Sequence, residues 1–424
     1  MKLLLRSVQV SDKRSAYNGQ IVDIKIKNGV ITEIGTDLNV ESGEVPDITG
    51  SMVSVGWFDM RVASRDPGLE HKEDLETLQN AAAKGGFTDI ALLPNSTPTV
   101  DSKDTLKYVL SRSQLVNLRP MAAVTKKTAG EDFSEMIDLF HAGAIAFTDG
   151  EHPIYNADIF LKSLQYLRPL NALLVNKPED KPLAMFGQMH EGVTSTLLGM
   201  KGIPSLAEEI MIARDLKLLE YALSGLPFDA SLPLLHFSLI STKESVTLIR
   251  KAKAEGWPVS CDVAAHQLAF DDTDLMDFDT NLKVSPPFRS AEDRQALLEG
   301  LADGTIDTIV SDHNPQEEEC KNLEFDMAEF GASAIETVFP VALQFSNLTV
   351  EKIVELLTEV PRRILRQPIP VIAIGEPAVL TVFNPDETWK FDKSESKALN
   401  NPFLGKELTG KIKGIINHQQ YRLF

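Results

Sequence analysis

Basic side chains are scarce in these 424 residues: 42 Lys and Arg stand against 61 Asp and Glu, a net charge of −19. Such a chain repels a phosphate backbone and an anionic membrane surface alike, so neither nucleic acid nor membrane is expected as a partner. Cysteine is almost missing. Cys261 and Cys320 are too few and too far apart for a disulfide framework or a thiolate metal cluster, which fits a reducing compartment. No apolar run approaches the ~20 residues of a membrane span. At the N-terminus, MKLLLRSVQV has only three consecutive leucines before Arg6, too short for a signal-peptide core. The expectation is a cytoplasmic protein. Its hydrophobic fraction of 43% and charged fraction of 24% are ordinary for a globular chain and argue against disorder.

Two kinds of periodicity are present. Near the start, QIVDIKIKNGVITEIG alternates apolar and polar residues around Asn28-Gly29, the mark of a β-hairpin. The same texture returns in AVLTVFNPDETWKF and LTGKIKGIINHQQYRLF near the end. The two ends are therefore expected to pair into one small β-sandwich domain, made of residues 1–51 and 371–424. Between them, over 52–370, apolar strands alternate with amphipathic helices. Candidate strands are SVGWFDMRV, 87–95, 120–125, 144–149, 171–176, 232–238, 258–266 and 307–313; candidate helices include 71–85, 102–113, 205–225, 242–256 and 290–304. Several helices open on Ser or Thr and close on Gly. Eight such units imply parallel strands joined by right-handed crossovers, an α/β chain closed into a (β/α)8 TIM barrel. An open doubly wound sheet is the alternative, because counting strands does not prove closure.

In such a barrel the chemistry gathers at the C-terminal ends of the strands. Those ends carry Arg61, Ala63 and Arg65 on the first strand, Asn95 on the second and Asp149 on the fourth. Lys177 and Glu179 follow the fifth, Ser238 and Leu239 the sixth, His266 the seventh, and Asp312 and His313 the eighth. Any one of these, alone, reads as a capping or solvated residue; the convergence of Asp149 and Asp312 with Arg61 and Lys177 points to a site.

The stretch GWFDMRVASRDPGLEHKEDLETLQNAAAKGGFTDIALLPNSTP, then AFTDG, EGVTSTLLGMKGIPSLAEEIMIARDL, STKESVTLIRKAKAEG, NLKVSPPFRSAEDRQALLEGLADGTIDTIVSDHNP, FDMAEFGASAIET and NNPFLGKELTGKIKGII, in that order, resembles the dihydroorotases of the cyclic amidohydrolase superfamily. That resemblance implies a zinc hydrolase of pyrimidine biosynthesis that opens dihydroorotate to carbamoyl aspartate. It implies metal ligands in a His-X-His pair on the first strand, a carboxylate on the fourth, a His on each of the fifth and sixth and an Asp on the eighth. Here the His-X-His pair aligns with Arg61 and Ala63, the fifth-strand His with Lys177 and the sixth-strand His with Leu239; Asp149 and Asp312 match. By the same resemblance Asp312 is the catalytic acid–base residue. Arg65 and Asn95 hold the substrate carboxylate, with Gln316 where a His is usual.

A guanidinium cannot become a ligand and repels a divalent ion, so no metal-binding residue is assigned and zinc is not expected as a cofactor. Arg61 and Lys177 are expected instead to act as charge surrogates that offset Asp149 and Asp312; the alternative is that the four positions simply drifted. The expected function is that of a catalytically silent homologue with a structural or assembly role, such as partner of aspartate transcarbamoylase, as some family members without these histidines are. It would form a homodimer, as family members commonly do, and keep affinity for a small anion resembling dihydroorotate. The alternative is an active cyclic amide hydrolase with an atypical metal site drawn from His266, His313, Asp149, Asp312 and Glu179.

Overall fold

The computed structural model describes the chain except residues 40–44, 47, 49, 226, 227 and 230, so part of the N-terminal segment 1–51 lies outside the described residues. Eight parallel strand positions form the centre. The first three pair in order, Trp57–Val62 with Phe87–Leu92 and that with Asn117–Pro120. The last four run Leu174–Asn176, Leu235–Phe237, Val259–Ala264 and Thr308–Val310, again each beside the next. The fourth, expected over 144–149, shrinks to Phe147, which bridges Ala122 on one side and Leu174 on the other. Just beyond it the Asp149 carboxylate is bound by the Thr125 N–H and hydroxyl, which turns the chain away from the ladder. The third, expected over 120–125, lies instead at Asn117–Pro120 and shares only Pro120 with that run.

Closure is explicit. Val62 bridges His313 in parallel, and the Ala63 N–H donates to the His313 carbonyl at 2.8 Å. The sheet is a barrel, not an open doubly wound layer. Its interior is filled by Phe58, Met60, Ala91, Leu93, Met121, Leu173, Val175 and Val310, with Ile364 and Leu365 packed among them.

The helices follow their sequence signals closely. Asp74, Ser102, Thr242 and Ser290 each accept backbone N–H groups at the start of Leu75–Lys84, Lys103–Ser111, Lys243–Ala254 and Ala291–Asp303. Gly304 ends the last of these in the left-handed region, φ 81°, where a side chain would be strained. The longest, Leu206–Leu223, spans 18 residues. No helix among the described residues is long and apolar enough to cross a membrane.

The two chain ends meet as expected. One seven-stranded sheet takes Lys2–Val10, Ile21–Lys27, Val30–Gly35 and Met52–Val55 from the N-terminal side, and Val379–Lys390, Glu407–Asn417 and Gln420–Leu423 from the C-terminal side. Met52–Val55 sits at the seam, parallel to Lys2–Val10 and antiparallel to Val379–Lys390. This sheet buries a core of its own, including Leu5, Val8, Ile24, Ile26, Val53, Val382 and Ile416. It joins the barrel through aromatic rings: Trp57 of the first barrel strand lies 5.4 Å from Phe383 and 5.0 Å from Phe339 between ring centroids.

Candidate active-site cleft

Arg61 owes its aim to a local irregularity. The ladder between the first two strands slips between Asp59 and Val62, and the Asp59 carboxylate accepts the Arg61 N–H at 3.1 Å. Such a bulge re-aims a side chain at a barrel rim. The Arg61 guanidinium, 3% exposed, is held by three partners: Nε donates to Asp312 Oδ1 at 3.0 Å, Nη1 to Ser238 Oγ at 3.4 Å and Nη2 to the Gly150 carbonyl at 3.4 Å. Asp312 takes a left-handed backbone, φ 48°, a conformation with a cost that functional strand ends often carry. Burial pushes its carboxyl above the usual carboxylate range, against the opposing charges of Arg61 and Lys177.

These two residues floor a cleft of about 510 Å³ at the barrel mouth, with Arg65, Lys72, Lys177, Glu151, Glu179, Ser285, Asn314 and Gln316 on its walls. Arg65 donates from Nη2 to Glu151 at 3.0 Å and also to Asn314, while its buried Nε has no partner. Burial alone would raise the Glu151 carboxyl, but Arg65, with Arg61 behind it, holds it below the usual range. Gln316 donates to Asn314 at 3.0 Å and to the Phe330 carbonyl at 2.9 Å, and accepts from Lys72 at 2.7 Å. Lys177 donates to Ser285 Oγ at 2.6 Å and stands 3.7 Å from Glu179.

The structure thus brings Arg61, Arg65, Lys177, Asp312 and Gln316 together and leaves two expected members out of the cleft lining. Asn95 has both ends of its amide engaged by the loop after the fourth strand: Nδ2 donates to the Asp149 carbonyl at 3.0 Å and Oδ1 accepts the Glu151 N–H at 2.9 Å. Asp149, 1% exposed, is bonded to Thr125 and makes no ion pair with Arg61 or Lys177 among the described residues. Of the expected charge pairing, only Arg61 with Asp312 forms as a direct contact. Glu151, Ser285, Asn314 and Lys72 escaped the sequence reading. Glu151 lies two residues past Asp149, and nothing in its local sequence says that it faces Arg65.

Zinc, which the resemblance implies, meets a donor set that does not fit it. Ala63 and Leu239 are packed in the apolar barrel core, and a guanidinium lies on Asp312. Leu239 adopts φ 61° and gives its N–H to Asp262 at 2.6 Å. The remaining histidines are dispersed. His236 is held by Asp262 and Ser260 at 2.8 Å each. His266 packs edge-on against Phe288, its pKa lowered to about 4 by burial. His313 is buried with neither ring nitrogen hydrogen-bonded, 3.6 Å from Glu73. Among the described residues no three His, Cys, Asp or Glu side chains form a group able to hold a metal ion.

A closed barrel with its cleft at the strand ends and a sheet built from both termini is a fold that solved hydantoinases share. The fold superposes on the L-hydantoinase (dihydropyrimidinase) of Arthrobacter aurescens with a TM-score of 0.83, covering 100% of this chain and 97% of that one at 22% identity. The dihydropyrimidinase of Brevibacillus agri gives 0.80 at 18% identity, covering 100% and 95%. The dihydro-orotase-like family model matches residues 50–245 and the amidohydrolase family model residues 202–415. The chain is 38% identical to the dihydroorotase of Acetivibrio thermocellus, covering 97% of this chain and 96% of that protein. It is 39% identical to that of Pelotomaculum thermopropionicum over the same shares. The chain belongs to the dihydroorotase family of the amidohydrolases.

Proposed function

We propose that this member of the dihydroorotase family does not perform metal-dependent ring opening and serves pyrimidine synthesis as a non-catalytic protein, with aspartate transcarbamoylase as its partner. The observation that carries the reading is the Arg61 guanidinium seated 3.0 Å from Asp312. A fixed cation there repels a divalent ion, and neither Ala63 nor Leu239 supplies a donor. Without a bound ion, no water has its pKa brought near 7 and no ring carbonyl is polarised by a Lewis acid. Asp312 alone, as general base, would contribute ~10²–10⁴-fold, short of what stable amide hydrolysis requires. The partner is proposed by analogy with family members that lack these histidines. Arg65, which lines the cleft, supports retained affinity for a small carboxylate resembling dihydroorotate.

Two observations favour the second reading, an active cyclic amide hydrolase acting on dihydroorotate. Relatives named dihydroorotase match nearly the whole chain at 36–39% identity, and Asp312, with its raised pKa, faces the cleft. Elemental analysis of the purified protein, with dihydroorotate hydrolysis and carbamoyl aspartate cyclisation followed in the same preparation, separates the two. Negligible zinc and no turnover, with a chelator leaving the melting temperature unchanged, is the expected result. Stoichiometric zinc with ring opening overturns the proposal.

A further inference from the structure

The segments that follow the seventh and eighth barrel strands fold together into a lobe on one wall of the cleft. The first contains the 3-10 turns Asp272–Asp277 and Thr280–Leu282, the second the short helix Glu318–Lys321 and the chain up to Gly331. Thr280 Oγ1 donates to the Lys321 carbonyl at 2.7 Å, and the rings of Phe278 and Phe325 lie 6.0 Å apart. Glu329, Phe330 and Gly331 line the cleft.

This lobe leaves large apolar side chains in water: Met276 is 49% exposed, Phe278 40%, Leu323 46% and Met327 67%. In the same two segments Asp274, Asp277, Asp279, Glu318, Glu319, Glu324 and Asp326 are exposed. The only basic residues of 271–283 and 317–331 are Lys283 and Lys321, and both are turned inward. Lys283 donates to the carbonyls of Phe325 and Asp326, and Lys321 to those of Glu329 and Gly331. Among the described residues none of these seven exposed carboxylates has a cation within 4.0 Å. Packing could bury the four apolar side chains in a neighbour, and exposed clusters of this kind mark interaction surfaces.

Charge decides what that neighbour is. A second copy docking through the same face would set this acidic surface against itself, because a two-fold interface pairs the same patch on both subunits. Membrane headgroups and nucleic acid carry the wrong sign. We propose that this lobe is the docking surface for a different protein, one whose face carries Lys and Arg with aliphatic or aromatic side chains among them. The inference rests on the partner reading above for one of its two probes.

The full chain is titrated by calorimetry with an amphipathic helical peptide bearing a Lys face and a Leu face, and separately with aspartate transcarbamoylase from the same organism. Two double variants alter exposed positions only, Phe278→Ser with Met327→Ser and Glu324→Lys with Asp326→Lys. Their circular dichroism and melting temperature report retained folding. Ile210→Ser with Tyr221→Ser is the control at an exposed site elsewhere. The expected result is peptide binding that each lobe variant weakens about tenfold or more, that about 0.5 M NaCl weakens similarly, and that the control leaves unchanged. No binding, or binding equal in all variants, overturns the proposal. A transcarbamoylase complex lost in the lobe variants supports lobe and partner together. A complex indifferent to them overturns the lobe and keeps the partner. No complex, with the peptide result intact, removes the partner reading and leaves the lobe standing.

Discussion

Arg61 and Asp312 come from opposite ends of the barrel segment, 251 positions apart, and meet at 3.0 Å with both side chains largely buried. Breaking such a pair leaves one charge buried without its partner, which typically costs about 3–5 kcal/mol. Arg61→Met is therefore expected to lower stability by about that amount near neutral pH. Burial already raises Asp312, and loss of Arg61 would raise it further. A raised carboxyl contributes stability that is lost as pH rises through its folded pKa, so the deficit should shrink in acid. Chemical denaturation at two pH values checks this, and an equal deficit at both would show that Arg61 acts through packing alone. At this scale the sequence carried Arg61, Arg65, Lys177 and Asp312, because strand ends in a barrel converge whatever their composition, but not Lys72, which lies outside them. It did not carry Asn95 or Asp149 as buried loop anchors, since a polar residue at a strand end reads the same whether it faces the cleft or the neighbouring loop.

Helix boundaries were legible because capping is local: Ser290 and Asp293 bond one another's backbone within three residues. The extent of the fourth strand was not: its ladder is the single residue Phe147, and the Asp149 carboxylate two residues on is bonded to Thr125, 24 positions back. A tertiary anchor of the same kind is Glu336, in the 3-10 turn Ile335–Thr337. Its Oε1 accepts from the Ser394 hydroxyl and the N–H groups of Glu395 and Ser396, fastening the segment between the last long strands onto the barrel, while Oε2 has no partner. Burial, partly offset by these hydrogen bonds, pushes its pKa up to about 7 from 4.5. Between those values the folded chain holds a proton that the unfolded chain has released. Stability is therefore present in acid and lost as pH rises through about 7. Glu336→Gln is expected to raise the melting temperature near pH 8 by a few degrees and to change it little near pH 5. A variant less stable than the parent at the higher pH would mean that the charged form is needed there.

Across the whole molecule, the terminal sheet decides whether the barrel stands alone. Three of its seven strands come from beyond residue 378, and Met52–Val55 lies between them and the N-terminal strands. Truncation after residue 376 would strip one side of that strand and uncover Trp57, whose ring packs on Phe383. An unpaired edge beside exposed aromatics favours aggregation. The truncated chain is expected to be insoluble or to lose its cooperative thermal transition, judged by light scattering and calorimetry. A soluble, cooperatively melting truncation would show the barrel to be independent.

By itself the sequence determined what depends on neighbours along the chain: where helices start and stop, which stretches are apolar strands, that both ends alternate as surface sheet does, and that four positions carry Arg, Ala, Lys and Leu. Folding alone decided what depends on distance through space. It closed the barrel through Val62 and His313, set Arg61 rather than Lys177 on Asp312, gave Asp149 to Thr125, and joined the segments after the seventh and eighth strands through Thr280 and Lys321. The reason is that burial and charge pairing are set by which segments meet. Those meetings join residues up to hundreds of positions apart, which local pattern does not encode.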